Sequence, residues 1–221
     1  LRSLQKVLRK GEWKITVAIH SKSSRDSKEI INIWPGFYDG PIYGVAVDVG
    51  STTIAANLCN LETGDVISSA GAMNPQIRFG EDLMSRVSYS MMNTGGDLEM
   101  TKAVIDGLNS LFKEITEEAK IDKNLILDSV FVCNPVMHHL LIGIDPFELG
   151  QAPFALATSE QLNFSAKEIN LEINPQAKTY ILPCIAGHVG ADAAAVALSE
   201  SPNDSDDLVL IVDVGTNAEI M

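Results

Sequence analysis

Gly44-Val45-Ala46-Val47-Asp48-Val49-Gly50-Ser51-Thr52-Thr53 decides how this chain is read. A short apolar strand runs into Asp-Val-Gly and then into three hydroxyl residues. Outward from it, Ile54 to Leu61 reads as a return strand, Glu62-Thr63-Gly64-Asp65 as a turn, and Val66 to Met73 as a third strand. Three successive strands joined by tight turns make a meander, unlike the alternating strand and helix that open a dinucleotide-binding or Walker-type protein. Much later the design returns. Leu208-Val209-Leu210-Ile211-Val212 reads as a buried strand running into Asp213-Val214-Gly215-Thr216-Asn217. The two copies are too widely separated for a short solenoid repeat, so a duplicated domain is the simpler account.

Chemistry suggests why such a turn would be used twice. Glycine lets the backbone turn sharply and approach a phosphate with no Cβ in the way. Ser and Thr hydroxyls beside backbone N–H groups can cradle phosphate oxygens. An aspartate next to polyphosphate is repulsive alone, but it becomes favourable when Mg²⁺ bridges the two, usually through its waters. Asp48 and Asp213, one per lobe, would then hold the metal and draw the lobes together. Gly50, Ser51, Thr52, Thr53, Gly215, Thr216 and Asn217 would line the phosphates. A single D-x-G-[ST] is a common structural turn; two copies, each directly after an apolar strand, favour a nucleotide.

The rest of the chain fits a globular α/β protein. Of its 221 residues, 46% are hydrophobic and 20% charged, ordinary values for a packed domain. Helical periodicity covers Glu81 to Met92 and, more strongly, Leu98 to Lys120. Ser129 to Cys133 reads as a strand leading through Asn134-Pro135 into a short helix with His138 and His139. Thr179 to Leu182 is another strand, and His188 to Glu200 an Ala-rich helix. Residues 1–40 form a separate unit with strand-like Trp13 to Ile19 and Glu29 to Trp34. No initiator Met opens the chain and the last motif falls near its end, so an internal piece of a longer protein is expected.

A net charge of −13, from 16 basic and 29 acidic residues, disfavours nucleic acid and anionic membranes, because phosphate backbones need clustered Lys and Arg. The longest apolar runs are too short to span a bilayer, and no cleavable leader is recognised. Cys59, Cys133 and Cys184 lie far apart in sequence without a C-x-x-C, which excludes a disulfide framework and a cluster or zinc site read from spacing. A reducing cytoplasm fits best.

The two motifs resemble the phosphate motifs of the superfamily of acetate and sugar kinases, heat-shock chaperones and actin. Within it, the chain is most similar to the reductive activators of corrinoid proteins. That similarity rests on Asn74-Pro75-Gln76-Ile77-Arg78-Phe79-Gly80-Glu81-Asp82 with Ser85-Arg86, on Asn134-Pro135-Val136-Met137-His138-His139, and on Leu182-Pro183-Cys184-Ile185-Ala186-Gly187-His188-Val189-Gly190-Ala191-Asp192. The resemblance implies an actin-like (ribonuclease H-like) lobe over 41–205, the start of a second related lobe over 206–221, and the C-terminal part of a linker domain over 1–40. It also implies ATP and Mg²⁺ as ligands. A [2Fe–2S] ferredoxin domain would lie elsewhere in the full-length protein and not in this chain. The partner would be a corrinoid (cobalamin-binding) protein of a methyl-transfer system, whose inactive Co(II) form is returned to Co(I). A homodimer is one arrangement open to it. A small-molecule kinase and a non-catalytic nucleotide switch of the same superfamily are the alternatives.

Other residues admit two readings. Asp192 could orient an attacking water or stabilise the first turn of the Ala-rich helix. His138 and His139, adjacent on a helix, point about 100° apart, so packing is favoured over a shared metal. Asp82 and Arg86 at i,i+4 spacing read as a solvated ion pair. The three cysteines read as buried and inert.

Overall fold

The computed structural model describes residues 4–21, 28–204, 208–214 and 218–221. A small N-terminal unit consists of helix α1 (Leu4–Lys10) and an antiparallel hairpin of β1 (Ile15–His20) and β2 (Glu29–Pro35), bulged between Ala18 and Ile19. Trp34 stacks on Tyr38 with ring centroids 4.3 Å apart, closing the unit where the chain leaves it. An ion pair between Glu29 and Lys178 links this hairpin to the main sheet.

The main sheet has six strands. β3 (Tyr43–Val49), β4 (Thr53–Asn60) and β5 (Val66–Met73) form the antiparallel meander expected from their alternation. Helices α2 (Leu83–Met92) and α3 (Gly96–Ala119) then carry the chain across to β6 (Ile126–Cys133), which lies parallel to β3. Helix α4 (Pro135–Leu141) and an antiparallel edge strand, β7 (Leu162–Ser165), precede β8 (Lys178–Ile181), which is parallel to β6. The resulting order is β5-β4-β3-β6-β8-β7. Leu162–Ser165 alternates apolar and polar residues, but over four residues that signal is too short to stand alone; it is a strand because the edge of β8 pairs with it.

Period-two alternation on β3 buries Val45, Val47 and Val49 and leaves Ala46 and Asp48 on the other face. Against the buried face packs α3, whose Met100, Val104, Leu108, Leu111, Phe112 and Ile115 form one stripe in the core. Asp97 and Glu99 in its first turn complement the helix dipole. Lys120, at φ 56°, stops the helix by turning its own N–H back to the carbonyls of Thr116 and Glu117. Helix α5 (Ala191–Glu200) follows β8, and the chain ends in a two-stranded ribbon of β9 (Val212–Val214) and β10 (Ala218–Ile220).

That ribbon corrects one expectation. The apolar run Leu208–Val212 is not a buried strand: Leu208 is 104% and Leu210 72% exposed, and only Ile211 is buried. Its only strand pairing among the described residues is with the neighbouring β10. An apolar run marks a strand as buried only when a sheet receives it.

Candidate functional site

Parallel pairing of β3 with β6 sets Val49 beside Cys133. The Gly50 turn therefore sits at the same sheet end as Asn134-Pro135, which opens α4 with Asn134 as its N-cap. Asp48, Gly50, Ser51, Thr52 and Thr53 all lie at this end. Asp192 reaches it from the first turn of α5, and Asp213 from β9. Gly215, Thr216 and Asn217 lie outside the described residues.

The turn is tight. A Cβ on Gly50 would stand 2.7 Å from the Thr53 carbonyl oxygen, so glycine is required by space as well as by any ligand. Ser51 is buried, whereas Thr52 and Thr53 are exposed. Its carbonyl oxygens are held from the interior. Asn74 donates its Nδ2 amide to Gly50 O at 2.8 Å, Arg86 donates Nη2 to Ser51 O, and the Asn74 backbone N–H donates to Thr52 O at 2.8 Å. A trans peptide points its N–H opposite to its C=O, so each inward carbonyl directs the next residue's N–H away from the core. That is the arrangement an anion cradle needs.

Asn74 and Arg86 are themselves braced. Asn74 caps the short helical turn Pro75–Phe79 through Gln76 N, and Gln76 Nε2 is tied to Met100 O on α3 at 2.9 Å. Arg86 Nε donates to Gly80 O at 2.9 Å, and its Nη1 lies 3.1 Å from Met137 Sδ on α4. This corrects the reading of Asp82 and Arg86 as a solvated pair. Arg86 is 0% exposed, and Asp82 is the N-cap of α2, accepting from Ser85 N at 2.7 Å. The i,i+4 spacing is present, but the guanidinium turns inward to three structures that only the fold brings together. Burial lowers its pKa to about 10.

Three carboxylates meet across the sheet end. Partial desolvation, then Asp192, then Asp213, push Asp48 up to about 6. Desolvation raises Asp192 too, with Asp213 adding to it against the amide of Ala193. Glu219, the cross-strand partner of Asp213, is raised by desolvation and by Asp192 and Asp213; sequence reasoning did not single it out. Asp48 still opens to solvent on one side, so the shared direction carries the argument: this end of the sheet collects negative charge that a cation would relieve. Asp192 Oδ1 also accepts from Ala193 N at 3.0 Å, so it serves the helix start while facing the cleft. A cavity of about 480 Å³ opens beside it, lined among others by Asp82, Asn134, His188, Gly190 and Glu219. Gly190 approaches so closely that a Cβ would lie 2.4 Å from Cys133 O.

Among the described residues, no group of three His, Cys, Asp or Glu side chains could by itself hold a metal ion. The donor set instead suits Mg²⁺, which keeps several waters and takes one or two carboxylates, with phosphates completing its shell. Burial raises the Cys133 thiol well above its ordinary value and Cys184 to about 11, which keeps both protonated. Cys59 is only half-buried, unlike the expectation for it. His138 and His139 are both buried with rings tilted 58°. His139 accepts from Ala157 N at Nε2 and pairs with Pro135 O through Nδ1, a packing role. Among the described residues no helix is long and apolar enough to cross a membrane.

Comparison with known proteins agrees with this architecture. Residues 43–202 match the family described as the RACo middle region and residues 1–40 the RACo linker region. The corrinoid activation enzyme RamQ of Eubacterium limosum is 32% identical over 180 residues, covering 81% of this chain and 30% of the relative. A solved structure of a reductive activator for corrinoid, iron–sulfur protein superposes with a TM-score of 0.88 at 30% identity, covering 99% of this chain and 35% of that one. The chain thus spans about a third of the length of the relatives it matches. It belongs to the family of reductive activators of corrinoid proteins.

Proposed function

We propose that this chain is the nucleotide-holding part of an ATP-dependent activator that returns inactive Co(II) corrinoid proteins to Co(I). The observation that carries the nucleotide reading is the Gly50–Thr52 turn, with its three carbonyls gripped from the interior beside a cluster of mutually repelling carboxylates. The meander followed by a parallel crossover, with β4 antiparallel to its neighbours, supports an actin-like lobe. In this reading ATP lies against the turn, its phosphates meeting the backbone amides and the hydroxyls of Ser51, Thr52 and Thr53. Gly215, Thr216 and Asn217 serve the same purpose from the second motif. Asp48 and Asp213 would hold Mg²⁺, which would supply positive charge to offset that of the phosphates. Asp192 orients the attacking water.

In this reading the corrinoid protein is a separate partner, and a [2Fe–2S] cluster elsewhere in the full-length protein, itself reduced by an external electron donor, passes the single electron to the partner's cobalt. ATP binding or hydrolysis biases the position of one lobe against the other, which is how a nucleotide acts on a two-state element. The test is reduction of a Co(II) corrinoid protein by the full-length activator, followed by visible absorbance with and without MgATP. Nucleotide-dependent appearance of Co(I) supports the reading. Equal reduction without nucleotide overturns it.

A further inference from the structure

Arg86 stands out. Its side chain is wholly buried, and among the described residues no carboxylate lies within ion-pair distance of it. The nearest acid along the helix, Asp82, caps α2 and attracts the guanidinium only from beyond ion-pair distance. The guanidinium is instead surrounded by neutral acceptors: the carbonyls of Ser51 and Gly80, the thioether of Met137 and, at 3.5 Å, Gln76 Oε1. A buried charge with its counter-ion held at a distance is costly for a fold to keep. A neutral amide could satisfy the same carbonyls more cheaply, so the hydrogen bonds alone do not account for an arginine here.

Resting on the reading above that ATP phosphates lie on the Gly50–Thr52 turn, we propose that Arg86 is the positioning residue of that turn and its counter-charge from beneath. Through Ser51 O it fixes the peptide whose N–H faces the ligand side. Through its charge, itself buried behind a single layer of backbone, it favours an anion on the exposed side of the turn. A phosphate there would add a closer counter-charge to the distant Asp82. The arginine never touches the nucleotide; it acts through the peptide plane. The Asn74 side chain performs the same positioning at Gly50 without contributing charge.

A series of ligands differing in phosphate number separates this role from plain structural support. Calorimetry on the full-length protein would compare MgATP, MgADP and adenosine, using wild type, Arg86→Met and Arg86→Lys. Arg86→Met should weaken MgATP by roughly tenfold or more, MgADP less, and adenosine by under about twofold. Arg86→Lys, which keeps the charge but not the fork that holds Ser51 O and Gly80 O, should lose less MgATP affinity than Arg86→Met. If Arg86→Met does not fold, Arg86→Gln supplies an amide donor for Ser51 O without charge and should show the same dependence on phosphate number. Equal losses for all three ligands, or no loss for MgATP in a folded neutral variant, overturn the proposal while leaving ATP binding intact. Wild-type protein that binds no MgATP overturns the nucleotide reading itself, and this inference with it.

Discussion

Replacing His138 by leucine should remove an acid-sensitivity that the wild-type fold carries in one buried ring. His138 is 0% exposed and, among the described residues, neither ring nitrogen has a hydrogen-bond partner. Desolvation, with a smaller push from His139, lowers its pKa to about 4 from an ordinary 6.5. The unfolded chain therefore takes up a proton at this imidazole over a range where the folded chain refuses it. A depressed folded pKa means that the stability is fully present above the ordinary value and drains away as pH falls toward about 4. Between about pH 7.5 and about pH 5 this costs the fold ~2 kcal/mol. Asp48, pushed up to about 6, binds its proton more readily folded than unfolded and so moves stability the opposite way across the same acid range. The difference between wild type and His138→Leu cancels that contribution. Leucine is of similar size and has no polar atoms to leave unpaired, so at neutral pH the variant should lie within about 1.5 kcal/mol of wild type. Urea unfolding at both pH values, with linear extrapolation, reads the difference. Two curves that remain parallel across this pH range would show that His138 is protonated in the fold, and the reasoning would be wrong.

Other outcomes follow from the same geometry. In the full-length protein Asp213→Ala should weaken MgATP binding far more than Asp192→Ala, because a metal-holding carboxylate acts on the bound state and a water-orienting one mainly on the transition state; equal affinities by calorimetry would refute this. Gly190→Ala forces a methyl to within 2.4 Å of Cys133 O, a backbone atom that cannot step aside, and should cost about 1–3 kcal/mol in urea unfolding. Asn74→Ala removes an N-cap and leaves Gly50 O without its side-chain donor. It should lower stability by about 1–3 kcal/mol, and hydrogen exchange should report the loosening first at residues 50–53.

What the sequence by itself determined is local and periodic. The meander was legible because alternation and tight turns are written within single strands: β5 falls on Val66–Met73 as expected, and β3 and β4 differ only at their ends. The tight turn at Gly50 was legible because Asp-Val-Gly-Ser-Thr-Thr sets a glycine and small hydroxyl residues directly after an apolar strand, and the resemblance carried by Asn74 to Arg86 pointed to the right family before any geometry was known. Tertiary structure alone decided which side of α2 would be interior. Asp82 and Arg86 have the spacing of a surface pair, and only the convergence of Ser51, Gly80 and Met137 on one point turns the guanidinium inward. It also decided that Leu208 to Leu210 stay exposed, that a four-residue segment becomes an edge strand, and that Glu219 joins Asp48, Asp192 and Asp213. The reason is the same in each case. Periodicity reports which side of an element is apolar, whereas burial, charge compensation and pKa depend on what other parts of the chain place against that side.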